Sequence, residues 1–370
     1  MKKKPYIPDK LPLKKLDWER LAPYTSKATM AVARYDGTLA GMVNTAALLS
    51  PITSQEAVLS SRIEGTQASL VEVLKHEAGE QYSESKKGDI HEIMNYREAL
   101  LLGENYLNDR PISLQLIREL HALLMQGVRG SDKTPGAFRT EQNWIGKKGT
   151  PIEEARFIPP EPILMQAALD NFAKYVNIDD TDPLVQLAVF HAQFEIIHPF
   201  IDGNGRLGRM LIPLFLYQKR VLQRPMFYLS EYLEEADGEY RDKLLAITDD
   251  NDWQGWIEFF LSALHQQAEQ NTEKAKDIHS LYEKMKLHFV EITHSQYAQL
   301  ALDAFFTRPI LNSSDFLKMT RIENRGTANS ILRNLAQNDM ILILREGAGR
   351  SPAIYAFPAL INIAEGKEVF

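Results

Sequence analysis

The sequence predicts a mainly α-helical protein: a helical core, one projecting β-hairpin, and a winged helix-turn-helix module in the last part of the chain. Three observations carry this. Apolar residues recur at three- and four-residue spacing through eight segments, the period of helices that bury one face. Only two stretches read as strand. Beyond about residue 294, three short helical patterns precede the second of those stretches, which is the order of a winged helix.

In order along the chain, the helical period runs through residues 55–78, 90–107, 113–127, 162–176, 184–197, 206–219, 239–248 and 253–286. Ser113 stands before Leu114 and Leu116 as an N-cap, and Thr181-Asp182-Pro183 sets proline near the first turn of the next helix. The first strand-like stretch is 143–160. There Trp144-Ile145 and Phe157-Ile158 flank a loop containing Gly146, Gly149 and Pro151, and Pro159-Pro160 ends the second run. A lone hairpin is marginal in water, so this one must lean on helices or on a ligand. Residues 268–291 are polar and charged, a connector helix. Helical patterns at 300–306, 314–319 and 327–337 then lead to the second hairpin, 340–357, which turns around Gly347, Gly349 and Pro352. The expected boundaries are an N-terminal helical segment at 1–89, a core at 90–265, the connector at 266–293 and the terminal module at 294–370.

The composition suits such a body. With 370 residues, 44% hydrophobic and 25% charged, the chain has core enough for two or three domains. A net charge of −7 excludes a protein that coats nucleic acid. The absence of cysteine excludes disulfides, thiolate metal sites, iron–sulfur clusters and cysteine nucleophiles, and fits a reducing compartment. Met1-Lys2-Lys3-Lys4 is followed by Pro5, Pro8, Asp9 and Pro12, not by the apolar region of a signal peptide. The longest apolar run, 210–217, is far short of the ~20 residues a membrane helix needs. The expectation is a cytoplasmic protein without a membrane segment.

The residues that carry chemistry lie in 194–209. Pro199 stops the helix that ends at His198. A second helix opens near Arg206, so the backbone N–H groups of Gly203, Asn204 and Gly205 point to its positive end, an anion site whose commonest guest is phosphate. Arg206 and Arg209, three apart, fall on one face of the first turn and would grip phosphate oxygens. Asp202 is placed to hold a divalent cation, since magnesium takes one or two carboxylates plus phosphate oxygens and water. His198 is the group there able to accept a proton near neutral pH. Together these make a phosphoryl- or nucleotidyl-transfer site. A rival stays open: His191, Glu195 and His198 fall at i, i+4 and i+7 on one helix face, a spacing that would hold zinc.

Residues 198–209 resemble the signature of the Fic (filamentation induced by cAMP) family, His-x-Phe-x-Asp/Glu-Gly-Asn-Gly-x-x-x-Arg. The resemblance extends to Ser60-Ser61-Arg62-Ile63-Glu64-Gly65-Thr66, to Leu124-Met125-Gln126-Gly127-Val128-Arg129-Gly130, to Pro135-Gly136-Ala137-Phe138-Arg139 and to Gln142-Asn143-Trp144-Ile145-Gly146. Phe157-Ile158-Pro159-Pro160 and Tyr228-Leu229-Ser230-Glu231-Tyr232 add to it, so that it covers roughly residues 20–265. It implies protein adenylylation: AMP moves from ATP, with Mg²⁺, to a tyrosine, serine or threonine hydroxyl of a target protein, and pyrophosphate leaves. On that implication His198 takes the hydroxyl proton and Asp202 holds the metal. The ATP-binding segment is Gly203, Asn204, Gly205, Arg206, Leu207, Gly208 and Arg209. Relatives that transfer phosphate or phosphocholine resemble versions with alanine at Gly203, so the two glycines here favour AMP.

The resemblance also makes the 143–160 hairpin a flap that adds an extended target segment to its edge, with Phe157 and Ile158 as docking residues. Ser60-x-x-x-Glu64-Gly65 fits the family's inhibitory motif. One turn apart on a helix, Ser60 and Glu64 share a face, and Glu64 would pair with Arg209 in the place of the γ-phosphate. Such a charge-assisted pair is worth about 1.5–3 kcal/mol, enough to shift a conformational population tenfold or more. In some relatives the same glutamate positions a water that removes AMP again. Tyr240 falls where relatives place a tyrosine near adenine; the second tyrosine frequent there is Arg241 in this chain, and an exposed helical tyrosine is the other reading.

Residues 296–370 carry eight Lys or Arg and seven Asp or Glu, a net charge of +1. Arg333, with Arg321, Arg325, Arg345 and Arg350 around it, would meet DNA phosphates if they share a face, while the near-zero charge suits docking to protein. The expected function is a self-inhibited protein adenylyltransferase using ATP and Mg²⁺. The alternatives are a DNA-binding regulator with a nucleotide-sensing core, and AMP removal at the same site. Self-modification and a homodimer stay open among its partners.

Overall fold

The computed structural model describes residues 4–128, 132–146, 149, 151–349 and 351–370; Arg129, Gly130 and Arg350, singled out above, lie outside the described residues. In chain order the elements are α1 (Trp18–Ala40), α2 (Thr45–Leu48), α3 (Ser50–Ile63), α4 (Leu70–Glu77), α5 (Glu84–Leu107), α6 (Leu114–Leu124), α7 (Pro162–Asn177), α8 (Pro183–Ile197), α9 (Asn204–Gln218), α10 (Ser230–Glu235), α11 (Asp237–Asp250), α12 (Trp253–Thr293) and α13 (Ala298–Thr307). Then follow β1 (Ile310–Asn312), α14 (Ser313–Thr320), α15 (Arg325–Gln337), β2 (Leu342–Arg345), β3 (Ile354–Ala356) and α16 (Pro358–Glu365). The chain is mainly helical, as its period predicts. No helix of the described residues is long and apolar enough to cross a membrane. Two compact units emerge.

The first unit comprises Met1–Asp36, Leu59–Gly65 and Met94–Glu269. Its centre is α8, where every residue after Pro183 is buried except Glu195. A helix apolar on all sides has to be wrapped by others. Asp182 accepts from the N–H groups of Leu184 and Val185 at 2.9 Å, and Pro183 occupies the first turn, where its missing N–H costs nothing. Phe190 of α8 lies between Phe172 of α7 and Phe215 of α9, with ring centroids 4.8 and 5.0 Å away. Trp256 of α12 donates to the Ala188 carbonyl at 2.8 Å. Ser113 caps α6 through the Leu116 N–H, as expected.

The second unit comprises Gly37–Val58, Thr66–Ile93 and Gln270–Phe370. Its antiparallel sheet has the order β1-β3-β2, with Leu311 opposite Tyr355 and Ile343 opposite Tyr355 from the other side. Asn312 and Asn324 cap α14 and α15. Phe289, Phe305, Phe316 and Phe357 fill the space under the sheet.

Several expectations change. The helix expected at 55–78 is two helices, because Gly65 turns the chain at φ +95° and Ser69 with Glu72 forms a capping box that starts α4. The connector at 268–291 is helical as expected, and with the segment that starts at Trp253 it forms one helix, α12, continuous over 41 residues. Helices α1 and α16 and strand β1 were not foreseen; α1 carries Pro23, which obscures its period. The hairpin at 143–160 reduces, among described residues, to one antiparallel bridge between Ile145 and Phe157 and a 3-10 turn at Ile152–Glu154.

Candidate functional site

Between α8 and α9 the chain makes a tight turn. His198 ends α8 in the left-handed region, at φ 48° and ψ 61°, a conformation that costs a non-glycine residue about 1–2 kcal/mol. Gly203 caps α9 at φ 81°, and a Cβ there would stand 2.8 Å from Met125 Sδ, so glycine is needed on both counts. Asn204 closes the turn on itself: its Oδ1 accepts from the Phe200 N–H and its Nδ2 donates to the Phe200 carbonyl, both at 2.9 Å.

A cavity of about 1040 Å³ opens beside this turn. His198, Asp202, Gly205, Arg209 and Tyr240 reach its wall, together with Glu64 and the flap residues Trp144, Ile145 and Phe157. The His198 Nδ1 lies 3.2 Å from the Glu195 carbonyl. A carbonyl only accepts, so Nδ1 carries the proton and Nε2 keeps its lone pair. Burial above all, opposed by the Glu195 carbonyl and aided by Arg139, pulls the imidazole down to about 4, so it is neutral at pH 7.

At the cavity wall Arg209 is held by Ser60 and Glu64. Its Nη2 donates to Glu64 Oε1 at 2.7 Å and to the Ser60 carbonyl at 2.7 Å, and its Nε donates to Ser60 Oγ at 3.0 Å. Burial works to raise the Glu64 carboxyl, but the charge and hydrogen bond of Arg209, then the charges of Arg206 and Arg241, hold it below its ordinary value. The carboxylate lies over Gly205, where a Cβ would fall 2.2 Å from Oε1. Glu64 thus occupies the space above the α9 N-terminus. Its position differs from the one expected in one respect: it sits in the turn just beyond α3, with its N–H bonded to the Ser61 carbonyl, and Gly65 follows at positive φ.

Other expected residues stand elsewhere. Arg206 and Arg209 do not share a face towards the cavity. Arg206 is 1% exposed, with its guanidinium 3.5 Å from Met125 Sδ and 3.7 Å from Asp202, and of these two arginines Arg209 alone lines the wall. The Asn204 side chain is buried and turned onto Phe200, with which it shares two hydrogen bonds. Leu207 is core. Gly208 packs on Glu195, whose Oε1 would lie 2.2 Å from a Cβ there. Tyr240 is no exposed helical tyrosine: its hydroxyl meets His191 Nε2 at 2.9 Å, and its ring lies beside Trp256. That contact, with His191 Nδ1 on the Gly208 carbonyl at 3.2 Å, occupies both His191 nitrogens and removes the zinc reading. Among the described residues no cluster of three His, Cys, Asp or Glu is set to hold a metal. Of the two residues expected to dock a target, Phe157 lines the cavity, while the Ile158 carbonyl accepts from the N–H of Tyr6 at 3.0 Å.

The roles of four residues escaped the sequence reading. His121 stacks on Phe200 with centroids 3.7 Å apart; Gly136 N–H donates to its Nδ1 at 2.8 Å, so its Nε2–H donates to the Asp202 carbonyl at 2.9 Å. Arg139 and Asn143 reach the turn from the base of the flap. Glu195, considered only as a zinc ligand, is a carboxyl pushed up to about 7 by burial, and its buried Oε1 has no partner. The blocks at 135–139 and 142–146 were visible as motifs, but no spacing tells that they fold onto residue 198.

Residues 111–216 match the Fic/DOC family, and residues 23–105 match the Fic/DOC family N-terminal region. A probable protein adenylyltransferase of Aquifex aeolicus is 33% identical over 89 residues, 23% of this chain and 28% of that protein. The protein adenylyltransferase fic-1 of Caenorhabditis elegans is 30% identical over 108 residues, 28% of this chain and 19% of that one. The chain therefore spans less than a third of either relative. A solved Fic family protein from Desulfovibrio desulfuricans G20 superposes with a TM-score of 0.55 at 18% identity, covering 90% of this chain and 96% of that one. Residues 134–508 of Fic-1 from C. elegans give 0.54 at 20% identity, covering 72% and 76%. The two family matches between them take in just over half of the sequence and the turn that frames the cavity, and the chain belongs to the Fic/DOC family.

Proposed function

We propose that the protein is a self-inhibited protein adenylyltransferase. The observation that carries this reading is the convergence of a neutral His198, Asp202, the N-terminus of α9 at Gly205, and Arg209 on one cavity. In the reaction a target hydroxyl oxygen attacks the α-phosphorus of ATP. His198 Nε2 accepts the hydroxyl proton, the bond to the β-phosphate oxygen breaks, and pyrophosphate leaves. The positive end of α9 faces the phosphates, and Arg209 meets the outer phosphate. The apolar wall at Ile63, Leu244 and Leu245, with Tyr240, suits the base.

Asp202 suits Mg²⁺. Its side chain is 46% exposed at the cavity, and one hard carboxylate is enough for a cation that draws its remaining ligands from phosphates and water. Bound there, Mg²⁺ would supply neutralisation of phosphate charge.

Glu64 inhibits by holding Arg209 and the space over Gly205. The partner is a protein whose extended segment reaches the flap at Phe157. In a Glu64→Gly variant, labelled ATP should mark the protein itself or a lysate protein about tenfold or more above the unmodified chain; no label on any protein would overturn the reading.

The order α13–β1–α14–α15–β2–β3 supports reading the last part of the chain as a winged helix. Arg325 and Arg333 border a concavity of about 690 Å³ that α14, α15 and the β2–β3 loop enclose, which suits an anionic partner such as DNA. A gel shift that weakens as salt rises is the expected result; none at low salt would leave protein docking.

A further inference from the structure

We propose that Arg139 is a positioning residue, which from the base of the flap fixes the main chain of the turn that aims His198 into the cavity. The inference rests on His198 being the base of the proposed reaction.

Arg139 is 2% exposed, and each hydrogen bond of its guanidinium goes to a main-chain carbonyl. Nε donates to His198 O at 3.0 Å, and Nη2 to Ile197 O at 3.4 Å. These oxygens lie at the C-terminus of α8, where carbonyls lack helical partners and the helix dipole favours a cation. The Arg139 N–H donates to Pro199 O at 2.9 Å. Asn143, four residues on, donates from Nδ2 to Phe200 O at 3.0 Å and to His198 O at 3.5 Å. The carbonyls of three consecutive residues, 198 to 200, are thus all held by the 139–143 segment. This is the stretch that contains the left-handed His198.

The same guanidinium ties down both feet of the flap. Nη1 donates to Glu141 O at 3.1 Å and Nη2 to Pro160 O at 2.5 Å, at either end of 143–160. One side chain therefore sets where the base stands and where the target-bearing segment leaves the body. Only the planar fork of arginine reaches both; lysine is a point donor. The block at 135–139, which the reaction itself leaves without a role, gains one.

The test compares Arg139→Lys and Asn143→Ala, each in the Glu64→Gly background. Arg139→Lys should lower kcat by about 100-fold, the scale of a misplacement near 1 Å, with KM for ATP moving by less than about threefold. Retained kcat, or KM for ATP rising in step with the fall in kcat, overturns the proposal. If Arg139→Lys fails to fold, Asn143→Ala removes only the donor to residues 198 and 200 and should still lower kcat by about tenfold at unchanged KM; unchanged kcat overturns it. A measurement independent of activity separates the two readings. In the otherwise unmodified chain the His198 imidazole resonances should shift in Arg139→Lys, and their staying in place refutes the positioning role. A Glu64→Gly parent that labels nothing refutes adenylyl transfer instead.

Discussion

The turn after α8 and the flap that faces it differ in how many bonds hold each residue. In the turn, Phe200 gives its N–H and its carbonyl to Asn204, its ring stacks on His121, and the carbonyls of residues 198 to 200 all have donors. Among its described residues the flap has one bridge, Ile145 to Phe157, with N···O distances of 2.9 and 3.1 Å, and it exposes Trp144. A turn held this way needs no reorganisation when charge develops, which is what electrostatic catalysis requires. On the proposed function, chemistry is built in advance and recognition is finished by the target.

The largest effect should follow from removing the base. His198→Ala in the Glu64→Gly background should lower AMP transfer by at least about 100-fold while nucleotide still binds; transfer at the parent rate would take the chemistry away from the turn and break the comparison. Next comes acidity. Burial first, and the Arg209 charge second, pull His191 down to about 3, below the ordinary value of 6.5. The unfolded chain then binds more protons, so stability falls as pH drops from about 6.5 towards 3, by up to about 2 kcal/mol at pH 5. Urea unfolding at pH 7 and pH 5 should show this loss, and His191→Gln should show less of it. The flap, residues 143–160, has no histidine and contributes nothing comparable. The smallest effect belongs to the flap itself. Phe157→Ala should reduce labelling of the target by about tenfold, near 1.4 kcal/mol, at unchanged KM for ATP. A larger loss with weaker ATP binding would mean that the flap builds the nucleotide site too.

Much of this was legible beforehand. The stretch 194–209 announces a helix, a stop at Pro199, a glycine turn and a new helix, and each is present. Ser60, Glu64 and Arg209 come together as their motifs imply. What sequence could not show was which side of α9 each side chain takes. Arg206 and Arg209 are three residues apart, yet one is packed against Met125 and the other against Ser60, because neighbouring helices, not spacing, decide what faces a cavity. Nor does a local period reveal a hydrogen bond between residues 59 positions apart, as for Arg139 and His198. The 55–78 segment was misjudged because its apolar spacing runs across Gly65, whose positive φ no hydrophobic pattern records.

Glu64 lies outside the regular part of α3, on a single turn closed by its own N–H and followed by a glycine. Helix ends fray at little free-energy cost, far less than whole helices melt. On the proposed function such silencing would leak: the resting output would be metered by how often the Glu64–Arg209 pair opens together with the few residues that carry it, and a signal would need to loosen only that tip to raise it.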